Sequence, residues 1–274
     1  MVDRYKEDID LTESQKAAID SIMDHLVIIR WSVNLRRNEF MKKLDTLLCE
    51  KRLQQRFELF EKYCFPSLCQ QSYCNFKVIL IIDVDLPSAW KQKLENLVRG
   101  HTNFIIHVWN KEDVFESNSW LRCYTENKKF LCTTRMDDDD MVHKDANKFF
   151  IYSVFSRRNL LKNNKMNFNV SNGVYLQMEN NENTYVIKCT NKELAVFMSY
   201  ITSSETNSNV YSYCHDELKD NNDIKKVQIF YKNAPLFGVT NHVWGNDNRL
   251  HRFSNRKKEK ISQHEIYNLF ALKN

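Results

Sequence analysis

The chain has 274 residues, 42% of them hydrophobic and 12% aromatic, enough for one large α/β core or two small ones. A net charge of +5, from 40 Lys+Arg against 35 Asp+Glu, suits an anionic substrate and makes no case for a nucleic-acid partner. With 4 Gly and 3 Pro the chain carries neither G-x-x-x-x-G-K-[ST] nor G-x-G-x-x-G, which excludes P-loop NTPases and dinucleotide-binding Rossmann enzymes. Phosphate, if bound, must be held by a metal and by basic side chains.

Residues 11–24 read as a helix, with Thr12 or Ser14 as cap and Ala18, Ile19, Ile22 and Met23 as its apolar stripe. It is expected to be an accessory helix. Leu26 to Val33 is apolar on both faces, the pattern of a strand inside a parallel sheet. Ligands in open α/β sheets bind beyond the carboxyl ends of strands, which puts Arg30, Ser32 and Asn34 near a ligand. Residues 51–72 read as a crossover helix. Leu53, Phe57, Phe60 and Cys64 form its core face, Arg52, Arg56, Glu58, Glu61 and Lys62 mostly the other, and Pro66 breaks the pattern. Phe76 to Asp83 is the second strand. Asp83 and Asp85 at its end either accept from a nucleobase or ribose, or cap the helix expected over 88–98. The third strand is 103–109, and a helix falls near 119–128.

The fourth strand, Phe130 to Arg135, runs into Met136 and four successive aspartates, Asp137 to Asp140. Adjacent carboxylates repel one another and are costly in a fold unless water or a cation neutralises them. Apolar residues on both sides, Phe130-Leu131 and Met141-Val142, argue against a solvated tail, although an acidic loop or a helix cap is the plainer reading of four acids alone. Carboxylate oxygens suit Mg²⁺ or Mn²⁺. A helix is expected over 142–159. The order β-α-β-α-β-α-β-α is that of a doubly wound sheet.

The last third changes character. Residues 173–178 and 184–189 form a hairpin around a polar turn. Residues 193–202 suit a short strand or a helix, 209–214 alternate, and 226–231 suggest another strand. The stretch from Pro235 to Asn248 holds two of the four glycines and is a candidate site wall. A basic tail from Arg252 ends in a helix, 263–272. No repeat and no Pro-, Gly- or Ser-rich linker divides the chain. The expectation is therefore one domain: an accessory segment 1–25, a nucleotide-binding half 26–160 and an acceptor-side half 161–274. Eight cysteines form no C-x-x-C pair, and no run of 18 apolar residues or secretory h-region is present. This predicts a cytoplasmic protein with reduced, mostly buried thiols.

Several stretches together resemble a GT-A type glycosyltransferase, and more narrowly the rhamnosyltransferase family. They are Ile29 to Asn34, Arg56 to Leu68 with Gln71, Asn75-Phe76-Lys77 with Asp83, Thr133 to Asp137 with Asp139-Asp140, His215, and the His242/Asn246 region. The resemblance implies a GT-A-like (Rossmann-like), mostly parallel sheet flanked by helices, with a β-hairpin in the C-terminal third. It also implies metal-dependent, inverting transfer of a sugar, rhamnose by the family's name, from a nucleotide-diphosphate donor to a glycan hydroxyl. Mn²⁺ or Mg²⁺ would sit on Asp137, Asp139 and His242 and offset the charge of the leaving diphosphate. Arg30, Ser32, Asn34, Asp83, Arg135, Asp137, Asp138 and Asp140 would face the donor. Glu205, Asp216 and Glu217 are candidates for the base that takes the acceptor proton. Two other readings compete: a nucleotidyltransferase, which usually brings a Gly-rich loop absent here, and a non-catalytic metal- or glycan-binding module.

Overall fold

A computed structural model of the chain describes residues 1–33, 44–110, 114–162, 165–179, 183–190, 194–213, 217–218, 221–242 and 259–272. Its centre is an eight-stranded sheet in the order β1-β11-β7-β10-β5-β2-β3-β4. The strands are β1 (Val2–Tyr5), β2 (Met23–Trp31), β3 (Lys77–Asp83), β4 (Phe104–Trp109), β5 (Phe130–Asp137), β7 (Lys165–Val170), β10 (Met198–Ser203) and β11 (Ile224–Tyr231). Strands β5, β2, β3 and β4 run parallel to one another, and β10 is antiparallel to both β5 and β7. This is the mostly parallel α/β sheet expected from the continuous apolar strands.

Alternation along β2 and β3 divides the core. Val27, Ile29, Trp31, Val78, Leu80 and Ile82 join the helices on one face. Leu26, Ile28, Ile79 and Ile81 meet Phe115, Trp120, Leu121, Val210 and Tyr211 on the other. The helical face carries α1 (Glu13–Asp20), α3 (Glu50–Leu59), α4 (Phe65–Cys69), α5 (Ser88–Val98), α6 (Ala146–Ser156) and α7 (Arg158–Leu161); a short α2 (Leu44–Leu47) precedes α3. Thr12 caps α1 in a capping box with Gln15.

Pro66 does not break the second helix. It stands at the first turn of α4, and the residues before it, Phe60–Cys64, form a π-helical turn. The Lys62 carbonyl, which a residue with an N–H at position 66 would serve, accepts instead from the Tyr267 hydroxyl at 3.2 Å.

A second, five-stranded sheet has the order β13-β9-β8-β12-β6, from β6 (Met141–Val142), β8 (Asn172–Glu179), β9 (Asn183–Thr190), β12 (Phe237–Asn241) and β13 (Glu259–Ile261). The hairpin β8/β9 is where the turn chemistry puts it. Helix α8 (Gln263–Leu269) closes this sheet through Ile266 and Phe270, which pack with Met141, Val174 and Leu176.

Four features add to or correct the reading from sequence. Val2–Tyr5 is an edge strand, paired in parallel with β11, where no element is legible in so short a stretch. Residues 165–170 are a strand too. Of the alternating run 209–214, the described residues 209–213 form no strand: they turn, and Asn209 ties the turn to Phe115 and Ser117 by side-chain hydrogen bonds of 2.9 and 3.1 Å. Of the described cysteines, Cys64 and Cys132 are buried, whereas Cys49, Cys74 and Cys123 are exposed. Among the described residues no helix is long and apolar enough to cross a membrane.

Candidate active site at the carboxyl ends of β2 and β5

Parallel pairing puts Arg30 of β2 directly beside Asp137 of β5. The Arg30 guanidinium donates to the Asp137 carboxylate at 3.1 Å, and 41% of the Asp137 side chain is exposed. The chain then turns, with the Asp140 amide on the Asp137 carbonyl at 3.2 Å. The turn sends Asp138 and Asp139 toward α3 on the helical face. There Arg56, 1% exposed, donates through Nε and Nη2 to the two oxygens of Asp138 and through Nη1 to Asp139 Oδ2 at 2.5 Å. One arginine on each face of the sheet thus serves the acidic turn. Helical periodicity assigns Arg52 and Arg56 to the outer face of their helix, yet both are buried, because they point at the strand ends rather than at water.

His242, at the end of β12, closes the site. Its Nε2 lies 2.7 Å from Asp139 Oδ2 and 3.5 Å from Arg56 Nη1. Burial opposes ionisation of Asp139, but the Arg56 cation and the His242 hydrogen bond outweigh it and hold the carboxyl well below the usual carboxylate range. Asp140 has the opposite environment. It is 5% exposed and makes no side-chain hydrogen bond or salt bridge with any described residue. Burial, then the charges of Asp139 and Asp137, push its pKa well above the ordinary value.

The backbone of the turn is held from three directions. Thr240 Oγ1 donates to the Asp139 carbonyl at 2.8 Å, and the Cys64 thiol to the Asp137 carbonyl at 3.7 Å. Downstream, Gln71 donates to the His143 carbonyl at 2.9 Å and accepts from the Asn147 amide at 3.0 Å. Arg56, Cys64 and Gln71 of one helical stretch therefore grip the acidic turn and the segment that leaves it.

Arg135 and Arg30 share one ring, with their guanidinium carbons 5.0 and 5.1 Å from the Tyr211 centroid. Ser32 is buried with a φ of 53°, a left-handed conformation unusual for serine, and accepts from Arg52 at 2.9 Å. Asp83 is buried at the end of β3, where Oδ1 accepts from the Asp85 amide at 3.0 Å in the turn before α5.

Not every candidate is brought here. Ser203 pairs with Phe130 because β10 runs antiparallel to β5, so that pair lies about 23 Å from the acidic turn at roughly 3.3 Å per residue, and the exposed Glu205 follows it at the opposite edge of the sheet. That removes it as a base. Asp138, with both oxygens on Arg56 and no exposure, has no face for a donor. Glu217 is exposed. Asn34, His215, Asp216 and Asn246 lie outside the described residues, as does Gly245, half of the expected glycine-bearing wall. Gly238, the other half, is a packing glycine: a Cβ there would stand 2.6 Å from Phe270 and 2.9 Å from Met141. Arg56 opens the stretch, Arg56 to Leu68 with Gln71, that carries the family resemblance, but its sequence spacing names no partner; the structure supplies Asp138 and Asp139. A cavity of about 250 Å³ lined by Asp24, Lys77, Tyr124 and Lys128 opens at the amino ends of β2 and β3, away from this site.

The donor set, carboxylate oxygens and one imidazole, suits a hard divalent cation, and Asp140 is a buried carboxylate with no direct ion-pair partner among the described residues. Among the described residues no three His, Cys, Asp or Glu side chains are grouped as a ready metal cage. A Mg²⁺-type ion does not need one, since one or two carboxylates with substrate phosphates and water complete its shell. The residues fit such an ion arriving with a diphosphate.

The acidic turn thus lies, flanked by arginines, at the carboxyl edge of a mostly parallel sheet. The chain belongs to the family described as "Putative rhamnosyl transferase", whose model matches residues 29–230. No curated protein sequence matches it. Solved structures that align with it include the inositol-1-phosphate CTP transferase of T. maritima, at 13% identity and a TM-score of 0.32 over 79% of this chain and 89% of that one. Another is a "Putative Glucose-1-Phosphate Thymidylyltransferase" of Bacillus anthracis in complex with sucrose, at 7% identity and a TM-score of 0.32 over 81% and 90%.

Proposed function

We propose that the protein moves a sugar, rhamnose by the family's name, from a nucleotide-diphosphate donor to a glycan hydroxyl, with inversion and with a divalent cation at the acidic turn. The observation that carries this reading is the meeting of Asp139 and His242 at 2.7 Å beside the buried Asp140. Asp139 and His242 would hold Mn²⁺ or Mg²⁺, with the exposed Asp137 as a third donor. Bound there, the ion supplies Lewis-acid neutralisation of the leaving diphosphate.

The chain's own groups do the rest. Arg135 rests on Tyr211 at the mouth of the strand and gives a phosphate oxygen a cationic partner. Arg30 keeps Asp137 in place and, with Asp83, lines the nucleotide side. Asp140 orients the donor sugar. Inversion also needs a base for the acceptor hydroxyl; with Glu205 at the wrong edge of the sheet, Asp216 and Glu217 are the remaining candidates.

The test is a panel of UDP-, GDP- and dTDP-sugars with Mn²⁺, read as released nucleoside diphosphate. Release from one donor class supports the proposal. Pyrophosphate release from a nucleoside triphosphate and a sugar phosphate would identify a nucleotidyltransferase instead. Silence across the whole panel, with no nucleotide stabilising the fold, would leave a binding module.

A further inference from the structure

Arg56 is a buried cation that touches three of the groups in the acidic site. Its fork holds both oxygens of Asp138, its Nη1 reaches Asp139 at 2.5 Å, and the same nitrogen lies 3.5 Å from His242 Nε2. Asp138 is fully buried and spends its carboxylate on this fork. The backbone of the next residue is fixed independently by Thr240. Asp139 therefore has few orientations left, and the one it takes aims Oδ2 at His242.

We propose that Arg56 is a positioning residue for the cation site: with Asp138 as its anchor it sets the Asp139 carboxylate against His242 before the metal arrives. The proposal rests on the reading of Asp139 and His242 as metal-holding residues. Asp138, on this account, acts only through Arg56. A guanidinium is needed because lysine offers one point charge, which cannot satisfy both oxygens of Asp138 and still reach Asp139. Preorganisation of this kind lowers the ordering cost of binding, so its loss should appear as weaker metal affinity.

The experiment uses Mn²⁺ and the full chain, with bound ion measured from the loss of the free Mn²⁺ electron paramagnetic resonance signal. Arg56→Met combined with Asp138→Leu replaces a buried pair by apolar side chains and leaves net charge unchanged, so a change in affinity reads geometry rather than charge. Apolar replacement of buried pairs is often tolerated by folds. The expected result is a thermal midpoint near that of the wild type and Mn²⁺ affinity reduced about tenfold or more. Arg56→Lys, which also keeps the charge, should weaken Mn²⁺ about threefold or more, and covers the case in which the double variant does not fold. In either variant excess Mn²⁺ should restore most turnover of the nucleotide sugar, a rescue that a merely structural defect would not give. Unchanged Mn²⁺ affinity in the folded variants overturns the role of Arg56. Failure of the wild-type chain to take up Mn²⁺, with or without UDP, GDP or dTDP, overturns the underlying metal reading and this inference with it.

Discussion

His242 and Asp139 are 103 residues apart in the chain, and their side chains meet at 2.7 Å. Strand β12 delivers the histidine, and the turn after β5 delivers the carboxylate. If this pair holds the catalytic cation, Asp139→Asn should lower nucleotide-sugar hydrolysis on the order of a hundredfold or more, as loss of a principal charge-stabilising group does. His242→Ala should lower it as well, and both should raise the Mn²⁺ concentration needed for half-maximal rate. Full activity in Asp139→Asn, measured as nucleoside diphosphate release, would end the assignment.

Removing metal should leave the fold intact. Arg30 already neutralises Asp137, and Arg56 already serves Asp138 and Asp139. The expected thermal midpoint with a chelator is therefore close to that without one. What the chelator should remove is stabilisation by a nucleoside diphosphate. With metal present, a nucleotide at a hundred times its dissociation constant adds about 2.7 kcal/mol. A fold that melts on chelation alone would mean that the ion is structural.

Two of the four glycines sit where a methyl group has no room. A Cβ on Gly173 would lie 2.3 Å from the Phe237 ring, and one on Gly238 would run into Phe270 and Met141. Both positions lie in the second sheet, and Phe237 begins β12, whose end carries His242. Gly173→Ala should cost roughly 1–3 kcal/mol, the usual range for overpacking, and should also reduce metal affinity by moving β12. Urea unfolding and Mn²⁺ titration of the same variant check both halves; a stable variant with normal Mn²⁺ affinity would show that the ring simply steps aside.

The parallel half of the sheet was legible because β2, β3 and β5 are continuous apolar runs whose ends carry Arg30, Asp83 and Asp137. The acidic turn stood out for the same reason, as charge abutting a buried strand. Glu205 could not be placed from sequence, because nothing in Met198–Ser203 states which way the strand runs; its antiparallel pairing with β5 decides that. Arg52 and Arg56 misled because helical periodicity sorts residues by polarity, and a buried arginine with acidic or hydroxyl partners breaks that sorting. Pro66 reads as a helix break because the group that replaces its missing N–H on the Lys62 carbonyl, the Tyr267 hydroxyl, comes from the far end of the chain.

Beneath the site, His25 provides a pH dependence whose sign is fixed. Its ring is buried among Phe76, Phe150 and Phe197, with Nε2 2.8 Å from Thr134 Oγ1. Burial lowers its pKa from 6.5 to about 3. Between these values the unfolded chain binds a proton that the folded chain refuses, so stability rises with pH through the window and falls on acidification. The contribution is whole above pH 6.5 and is lost at about 1.4 kcal/mol per pH unit as the pH drops toward 3. From pH 7 to pH 5 that is about 2 kcal/mol. His25→Gln keeps a hydrogen-bonding group near Thr134 and cannot take up the proton. Urea unfolding at the two pH values should therefore show the wild type losing about 2 kcal/mol more than the variant. Equal losses would mean that His25 is protonated in the folded chain, and that the aromatic cluster around it admits water.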